Sequence, residues 1–278
     1  MDYAYYNGRF GGYEEIFVPL SDRALFFGDG VYDAAIGRHG KIFLLDEHNE
    51  RLFSNAKRLG IVPPVTKDEL NEILQELIIR SGLSEYFIYV QFSRSKPRRT
   101  HSALGAEANL LITVTDWTLP SPERRLKLIS FEDLRYEYCD VKTVNLLPAV
   151  LASTRAEELC ADEAVFHRGD TVTECAHSNI SILKDGALIT HPESSHILPG
   201  ITRRHLIAAA RSHSVPVLER PFTLEELFSA DEVIVSSTTK LLLAAESVDG
   251  RPVGGSDRRT FSLLQSAVCE EFNNFIID

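Results

Sequence analysis

Thr171-Val172-Thr173-Glu174-Cys175-Ala176-His177-Ser178-Asn179-Ile180 sets one acid among small and hydrogen-bonding residues, then runs into an apolar, β-branched stretch over 179–183. An acid so placed either sits on a solvated turn or pairs with a cation, such as a protonated ring nitrogen, and the stretch alone leaves both open. Working outward from it, strand-like runs fall at 126–131, 164–167, 187–190, 216–218 and 232–236. Helical runs fall between them, at 146–159, 203–212 and 224–228.

The front half carries the same mixture. Residues 47–59 place Leu52, Phe53, Ala56 and Leu59 on one helical face, with Gly60 as the stop. Residues 67–81 form a stronger stripe of Leu70, Ile73, Leu74, Leu77 and Ile78. Thr66 and Glu69 make a capping box before it, and Gly82 ends it. Strands are predicted over 86–92 and 110–114, rich in aromatic and β-branched residues. Thr118-Leu119-Pro120-Ser121-Pro122 continues no regular element. The expectation is a mixed α/β chain of two domains: residues 1–117, a linker over 118–124, and residues 125–278. A cleft between two such domains is the default place for a site.

Composition narrows the function. The 278 residues are 44% hydrophobic and 25% charged, an ordinary globular balance. The net charge of −11 argues against nucleic acid as a partner, since phosphate backbones need clustered Lys and Arg. No apolar run approaches a membrane span, and the first residues have neither the basic nor the apolar region of a signal peptide. Cys139, Cys160, Cys175 and Cys269 form no CxxC pair and no metal-ligand spacing, so they read as reduced thiols in a cytoplasmic protein.

Three further stretches offer chemistry. In Cys139-Asp140-Val141-Lys142-Thr143-Val144-Asn145 a lysine precedes the apolar start of a helix. A lysine at a half-buried junction loses its proton more readily and is able to form an imine; a surface lysine is the plain alternative. In Leu198-Pro199-Gly200-Ile201-Thr202-Arg203-Arg204, Gly200 makes a turn and Thr202 is expected to cap the next helix, whose first N–H groups suit an anion. Ser236-Ser237-Thr238-Thr239 puts four hydroxyls at the end of an apolar strand, as a phosphate cradle or a polar loop. All of these fall in the expected second domain. A lysine, an acid and two anion cradles are together what pyridoxal phosphate requires.

The chain resembles the class IV aminotransferases, the fold-type-IV pyridoxal-phosphate enzymes, over nearly its whole length. The resemblance begins at Ser21-Asp22-Arg23-Ala24-Leu25-Phe26-Phe27-Gly28-Asp29-Gly30-Val31-Tyr32 and continues at Leu45-Asp46-Glu47-His48-Asn49-Glu50-Arg51-Leu52. The long-spaced signature follows: Glu174, Ala176, Asn179, Leu188, Thr190, Leu198, Gly200, Ile201 and Arg203. The resemblance implies a smaller N-terminal domain, a larger C-terminal domain with a β-barrel-like core, and the cofactor in the cleft. It implies that Lys142 is the Schiff-base lysine and Glu174 the partner of the pyridine nitrogen. Arg51, Ile201, Thr202, Ser237 and Thr238 would hold the phosphate end, and Leu198 would pack on the ring.

Within the family the chain is most similar to D-amino-acid aminotransferases, on Asp140-Val141-Lys142-Thr143-Val144-Asn145-Leu146-Leu147 and on Pro97-Arg98-Arg99-Thr100-His101. There an Arg-x-His pair helps hold the substrate α-carboxylate and reaches in from the other subunit of a homodimer. Arg99 and His101 match that pair, Tyr32 matches its third member, and Thr239 is expected on the substrate side. The implied reaction is ping-pong transfer of an amino group from a D-amino acid to a 2-oxo acid. Branched-chain L-amino-acid aminotransferases, 4-amino-4-deoxychorismate lyases and (R)-amine aminotransferases share the cofactor residues but do not need that loop; a non-catalytic cofactor-binding protein is a further alternative. Two departures stand out. Ser181 replaces the usual aromatic residue, and Cys175 and His177 are expected to bring bulkier groups to the cofactor face.

Overall fold

The computed structural model describes residues 1–277, and side chains through Phe275. It divides into two compact units, Met1–Thr118 with Val141–Asn145, and Leu119–Asp140 with Leu146–Asp278.

The first unit is built from strands β1 (Tyr3–Tyr6) and β2 (Arg9–Gly12), helix α1 (Ala24–Phe27), and strands β3 (Gly30–Arg38) and β4 (Lys41–Ile42). Helices α2 (Leu45–Arg58) and α3 (Lys67–Ser81) and strands β5 (Glu85–Ser95) and β6 (Glu107–Asp116) complete it. The strands make one antiparallel sheet in the order β2-β1-β6-β5-β3-β4. Helix α3 matches the expected span. Thr66 accepts from the Glu69 N–H, Glu69 returns the bond to Thr66, and Gly82 closes the end in the left-handed conformation. Its buried stripe of Leu70, Leu74, Leu77 and Ile78 packs with Leu52 and Ala56 of α2 against Ile88, Val90, Phe92, Ile112 and Val114 of the sheet. Val141 belongs to the same core, at 4% exposure.

The second unit opens with β7 (Arg125–Glu132), α4 (Leu147–Glu158), β8 (Glu163–Arg168), β9 (Thr171–Cys175), β10 (Asn179–Lys184) and β11 (Ala187–Thr190). It continues through α5 (Ile201–Ser212), β12 (Val217–Glu219), β13 (Phe222–Thr223), α6 (Leu224–Phe228), β14 (Glu232–Ser237), β15 (Leu241–Val248), β16 (Arg251–Pro252) and α7 (Arg258–Ile277). Its ten-stranded sheet runs β12-β11-β10-β14-β15-β7-β8-β9-β13, with β16 beside β15. The pairs β11–β12, β15–β7 and β7–β8 are parallel.

The sequence patterns do not mark β1 to β4, β9, β13, β15, β16, α1 or α7. Strand β15 reads Leu-Leu-Leu-Ala-Ala-Glu-Ser-Val, a composition with high helix propensity. It lies between β14 and β7, with Leu241 to Ala245 all buried, so apolar residues point to both faces and no alternation survives to mark a strand. Among the described residues no helix is long and apolar enough to cross a membrane.

One expectation is corrected. The Lys142 stretch, expected in the second domain from its position in the sequence, packs in the first unit. The reason is local: Val141 buries in that unit's core, and Thr143 bridges Val31 of β3.

Candidate active site

In the first unit, Lys142 is held by its backbone. Its carbonyl accepts from the Tyr32 N–H at 2.9 Å, and the Val144 N–H donates to Gly30 at 3.2 Å. Asn145 donates through Nδ2 to the Gly28 carbonyl at 2.7 Å. Gly28 itself ends α1 at φ +58°, and a Cβ there would fall 2.4 Å from Asn145 Oδ1. The left-handed turn and the close asparagine both demand glycine. So held, Lys142 places Nζ 4.4 Å from the centroid of the Tyr32 ring, which stacks on Tyr89 at 5.1 Å. A cation over a phenol face is a favourable pairing.

Arg51 lies on α2, one helical turn from His48, and both face Asp33 of β3. Arg51 donates through Nε and Nη2 to the two Asp33 oxygens at 2.7 and 2.8 Å, and His48 Nδ1 lies 2.8 Å from Oδ1. Burial alone would raise the Asp33 pKa, but the charge and hydrogen bonds of Arg51, with His48, outweigh it and hold the carboxyl far below its usual range. His48 is pushed down, first by burial and further by Arg51 and Lys142, against the pull of Asp33. Asp33 therefore fixes the direction of the guanidinium expected to meet a phosphate.

Arg99 and His101 are exposed, on the loop between β5 and β6. Both pack on Phe27: the Arg99 guanidinium carbon lies 4.8 Å from its centroid, and the His101 ring centroid 5.4 Å. The structure thus brings these two together on one phenyl ring, and separately pairs Lys142 with Tyr32.

In the second unit, Glu174 stands on β9 rather than on a turn, at 5% exposure. Its Oε2 accepts from Asn179 Nδ2 and from the Leu198 N–H, each at 3.0 Å. Its Oε1 accepts from Arg135 Nη1. Asn179 also donates to the Leu198 carbonyl at 2.9 Å, so it clamps β10 to the start of α5. A Cβ on Gly200 would fall 1.9 Å from Asn179 Oδ1, which is why that position has no side chain.

Thr202 does not cap α5. The cap position is Gly200, and the helix begins at Ile201, so Thr202 lies inside the first turn, buried at 7%. The gap at Gly200 is what the Asn179 clamp requires. Ser237 ends β14 and Thr238 and Thr239 form the following turn, with Ser237 Oγ 3.3 Å from Thr239 Oγ1.

One departure resolves differently from expectation. Cys175 turns into the apolar core with Val165, Ile180 and Val235, and burial raises its thiol pKa well above normal. It therefore does not crowd a cofactor face. His177 is tied by Nδ1 to buried Glu163 at 3.2 Å and to Lys240 at 3.3 Å. Ser181 is fully buried on β10 and its Oγ has no hydrogen-bond partner, a cost a larger apolar residue would not carry.

Sequence reasoning missed Arg135, Asp33 and His48, and assigned no task to Asn179. Arg135 lies in an irregular stretch with no pattern around it. The only signal for it is physical: an acid buried like Glu174 calls for a cationic partner.

The class IV amino-transferase family model matches residues 30–248. This chain belongs to the class IV aminotransferases. It is 38% identical over 251 residues to a D-alanine aminotransferase of Listeria monocytogenes, covering 88% of this chain and 87% of that one. It is 37% identical over 258 residues to a D-alanine aminotransferase of Staphylococcus haemolyticus, covering 91% and 92%. Among solved structures it is similar to a branched-chain aminotransferase of Thermoproteus uzoniensis crystallised with norvaline, with a TM-score of 0.89 and 25% identity over 99% of this chain and 97% of that one. The aminotransferase therefore has fold type IV, and the large sheet of its second unit is the curled, half-barrel sheet of that fold.

Proposed function

We propose that this aminotransferase uses pyridoxal phosphate to move an amino group from D-amino acids to 2-oxo acids. The D-alanine aminotransferase relatives support this reading. The observation that carries it is the packing of Arg99 and His101 on the single ring of Phe27, which offers a guanidinium and an imidazole side by side to a carboxylate.

The residues suit the cofactor. A protonated pyridine nitrogen needs an oriented anion, and Glu174 is oriented by a guanidinium, an amide and a backbone N–H. A phosphate needs donors, and Arg51, the first turn of α5 with Ile201 and Thr202, and the hydroxyls of Ser237 and Thr238 supply them. Leu198, whose N–H is already spent on Glu174, would face the ring. When bound, pyridoxal phosphate supplies an aldehyde for the amino group and a sink for electrons.

Lys142 Nζ would hold the cofactor and, when free, would act as the general base that takes the proton from the substrate Cα. Tyr32, beneath that amine, orders it and lines the substrate side. Arg99, His101 and Tyr32 hold the α-carboxylate, with Thr239 toward the side chain, so that the α-hydrogen of the D-isomer faces Lys142. In this reading the loop bearing Arg99 and His101 serves the other subunit of a homodimer.

The test is a scan of half-reactions with paired enantiomers, followed by cofactor absorbance. D-alanine should change the spectrum and L-alanine should not, and Lys142→Ala should abolish transfer with the fold intact. Turnover of L-leucine and L-glutamate without D-alanine would make this a branched-chain aminotransferase, like its structural neighbour. Release of pyruvate from aminodeoxychorismate without an acceptor would make it a lyase.

A further inference from the structure

In the single chain the loop that carries Arg99 and His101 is exposed. Residues 97–102 are all exposed, and several of the loop's hydrogen bonds are local, such as Lys96 Nζ to the Ser102 and Leu104 carbonyls and Thr100 Oγ1 to the Ser102 carbonyl. Such a segment does not hold two side chains in place by itself. Among the described residues, one buried side chain reaches it through hydrogen bonds. Arg23, at 4% exposure, donates through Nη1 to the Thr100 carbonyl at 2.5 Å and through Nη2 to the His101 carbonyl at 3.0 Å. The third edge of its fork, Nε, donates to Asp29 Oδ2 at 2.6 Å.

Arg23 is itself fixed to the sheet. The other oxygen of Asp29 accepts from Nε and Nη2 of Arg94, at 2.8 and 2.6 Å, and Arg94 belongs to β5. The Arg23 backbone N–H donates to the Arg94 carbonyl at 2.7 Å. Its guanidinium lies 4.6 Å from the centroid of Phe27, the same ring that carries Arg99 and His101. Arg23 therefore grips the backbone at Thr100, between the loop's two working residues, and at His101 itself, and stacks on the ring they rest on.

We infer that Arg23 is a positioning residue for recognition of the substrate carboxylate. It touches no substrate. It holds the Thr100 and His101 carbonyls so that Arg99 and His101 meet a carboxylate ready-made, which lowers the cost of ordering the loop at each binding event. This inference rests on the role proposed above for Arg99 and His101. The guanidinium fork is what the task requires: lysine brings the charge but not three donors in one plane.

The test is Arg23→Lys in the full-length enzyme with cofactor bound. The kcat/KM for D-alanine should fall on the order of 10²-fold, mostly through KM, the scale of a small misplacement at a binding group. Half-reaction rates with D-alaninol, the same amine without a carboxylate, should stay within about twofold of wild type, and so should the affinity for pyridoxal phosphate. Asp29→Asn, which weakens the hold on Arg23 Nε and leaves Phe27 untouched, should give the same selective loss to a smaller degree, and it carries the test if Arg23→Lys fails to fold. Equal losses with D-alanine and D-alaninol would mean that Arg23 only supports the fold. No loss with either would mean that the loop needs no anchor. If wild-type enzyme itself ignores D-alanine, the D-amino-acid reading fails, and this inference fails with it.

Discussion

Arg135 Nη1 donates to Glu174 Oε1 across 39 residues of chain, and the same guanidinium grips both oxygens of Asp133 at 2.9 Å. Two buried carboxylates thus share one arginine, which is itself only 13% exposed. Burial would lower the Arg135 pKa, but Asp133 and Glu174 raise it well above normal. Asp133, which burial would raise, is held below its usual range by Arg135 and Arg168.

Arg135→Met should cost about 3–5 kcal/mol, because removing one partner leaves buried charge uncompensated. Urea unfolding measures this directly. Activity in the surviving folded fraction should also fall, since Glu174 loses the donor that aims Oε1. An Arg135 variant as stable as wild type would show that the network is idle.

Gly200→Ala should destabilise the second unit by roughly 1–3 kcal/mol, the usual cost of forcing extra volume into a packed place. The obstacle is specific: Asn179 Oδ1 would stand 1.9 Å from the new Cβ. In an Asn179→Ala background the same change should cost almost nothing. Additive losses in that double-mutant cycle would reject the steric account.

Lys240 Nζ lies 3.0 Å from Oε2 of Glu163, whose side chain is fully buried. Lys240→Met should therefore destabilise by about 3 kcal/mol or more, and Glu163→Gln in the same chain should restore much of that loss. A Lys240→Met protein that melts at the wild-type temperature would contradict this.

Acid should destabilise the first unit in two stages. Both His48 and Asp33 have folded pKa values below those of the unfolded chain. In each case the unfolded state binds the proton more readily, so the contribution is complete above the unfolded pKa and lost as pH falls. For His48 the loss begins below about 6.5, and for Asp33 below about 3.9. His48→Gln should remove the first stage from a plot of stability against pH and leave the second. A first stage unchanged in that variant would assign it to another group.

Much is legible in the sequence where local physics acts alone. Helix α3 shows its cap, stripe and stop in adjacent residues, and the structure repeats all three. The family pattern was legible too, because Lys142, Glu174 and the Leu198–Arg203 turn keep their types and spacing along the chain. What the sequence by itself determined is therefore the class of chemistry and those elements, such as α3, whose caps and apolar stripes are local; β15, buried on both faces, carries no such mark.

Only the tertiary structure decided which groups meet. It moved Lys142 into the first unit by burying Val141 there, kept Thr202 from capping α5 by placing Asn179 against Gly200, and turned Cys175 into the core. It also supplied Arg135 to Glu174, Asp33 to Arg51, and Arg23 to the loop of Arg99 and His101. The physical reason is plainest for the polar partners. Hydrogen bonds and ion pairs depend on distance in space, and the partners lie 18 to 78 residues apart in the chain, where no periodicity links them.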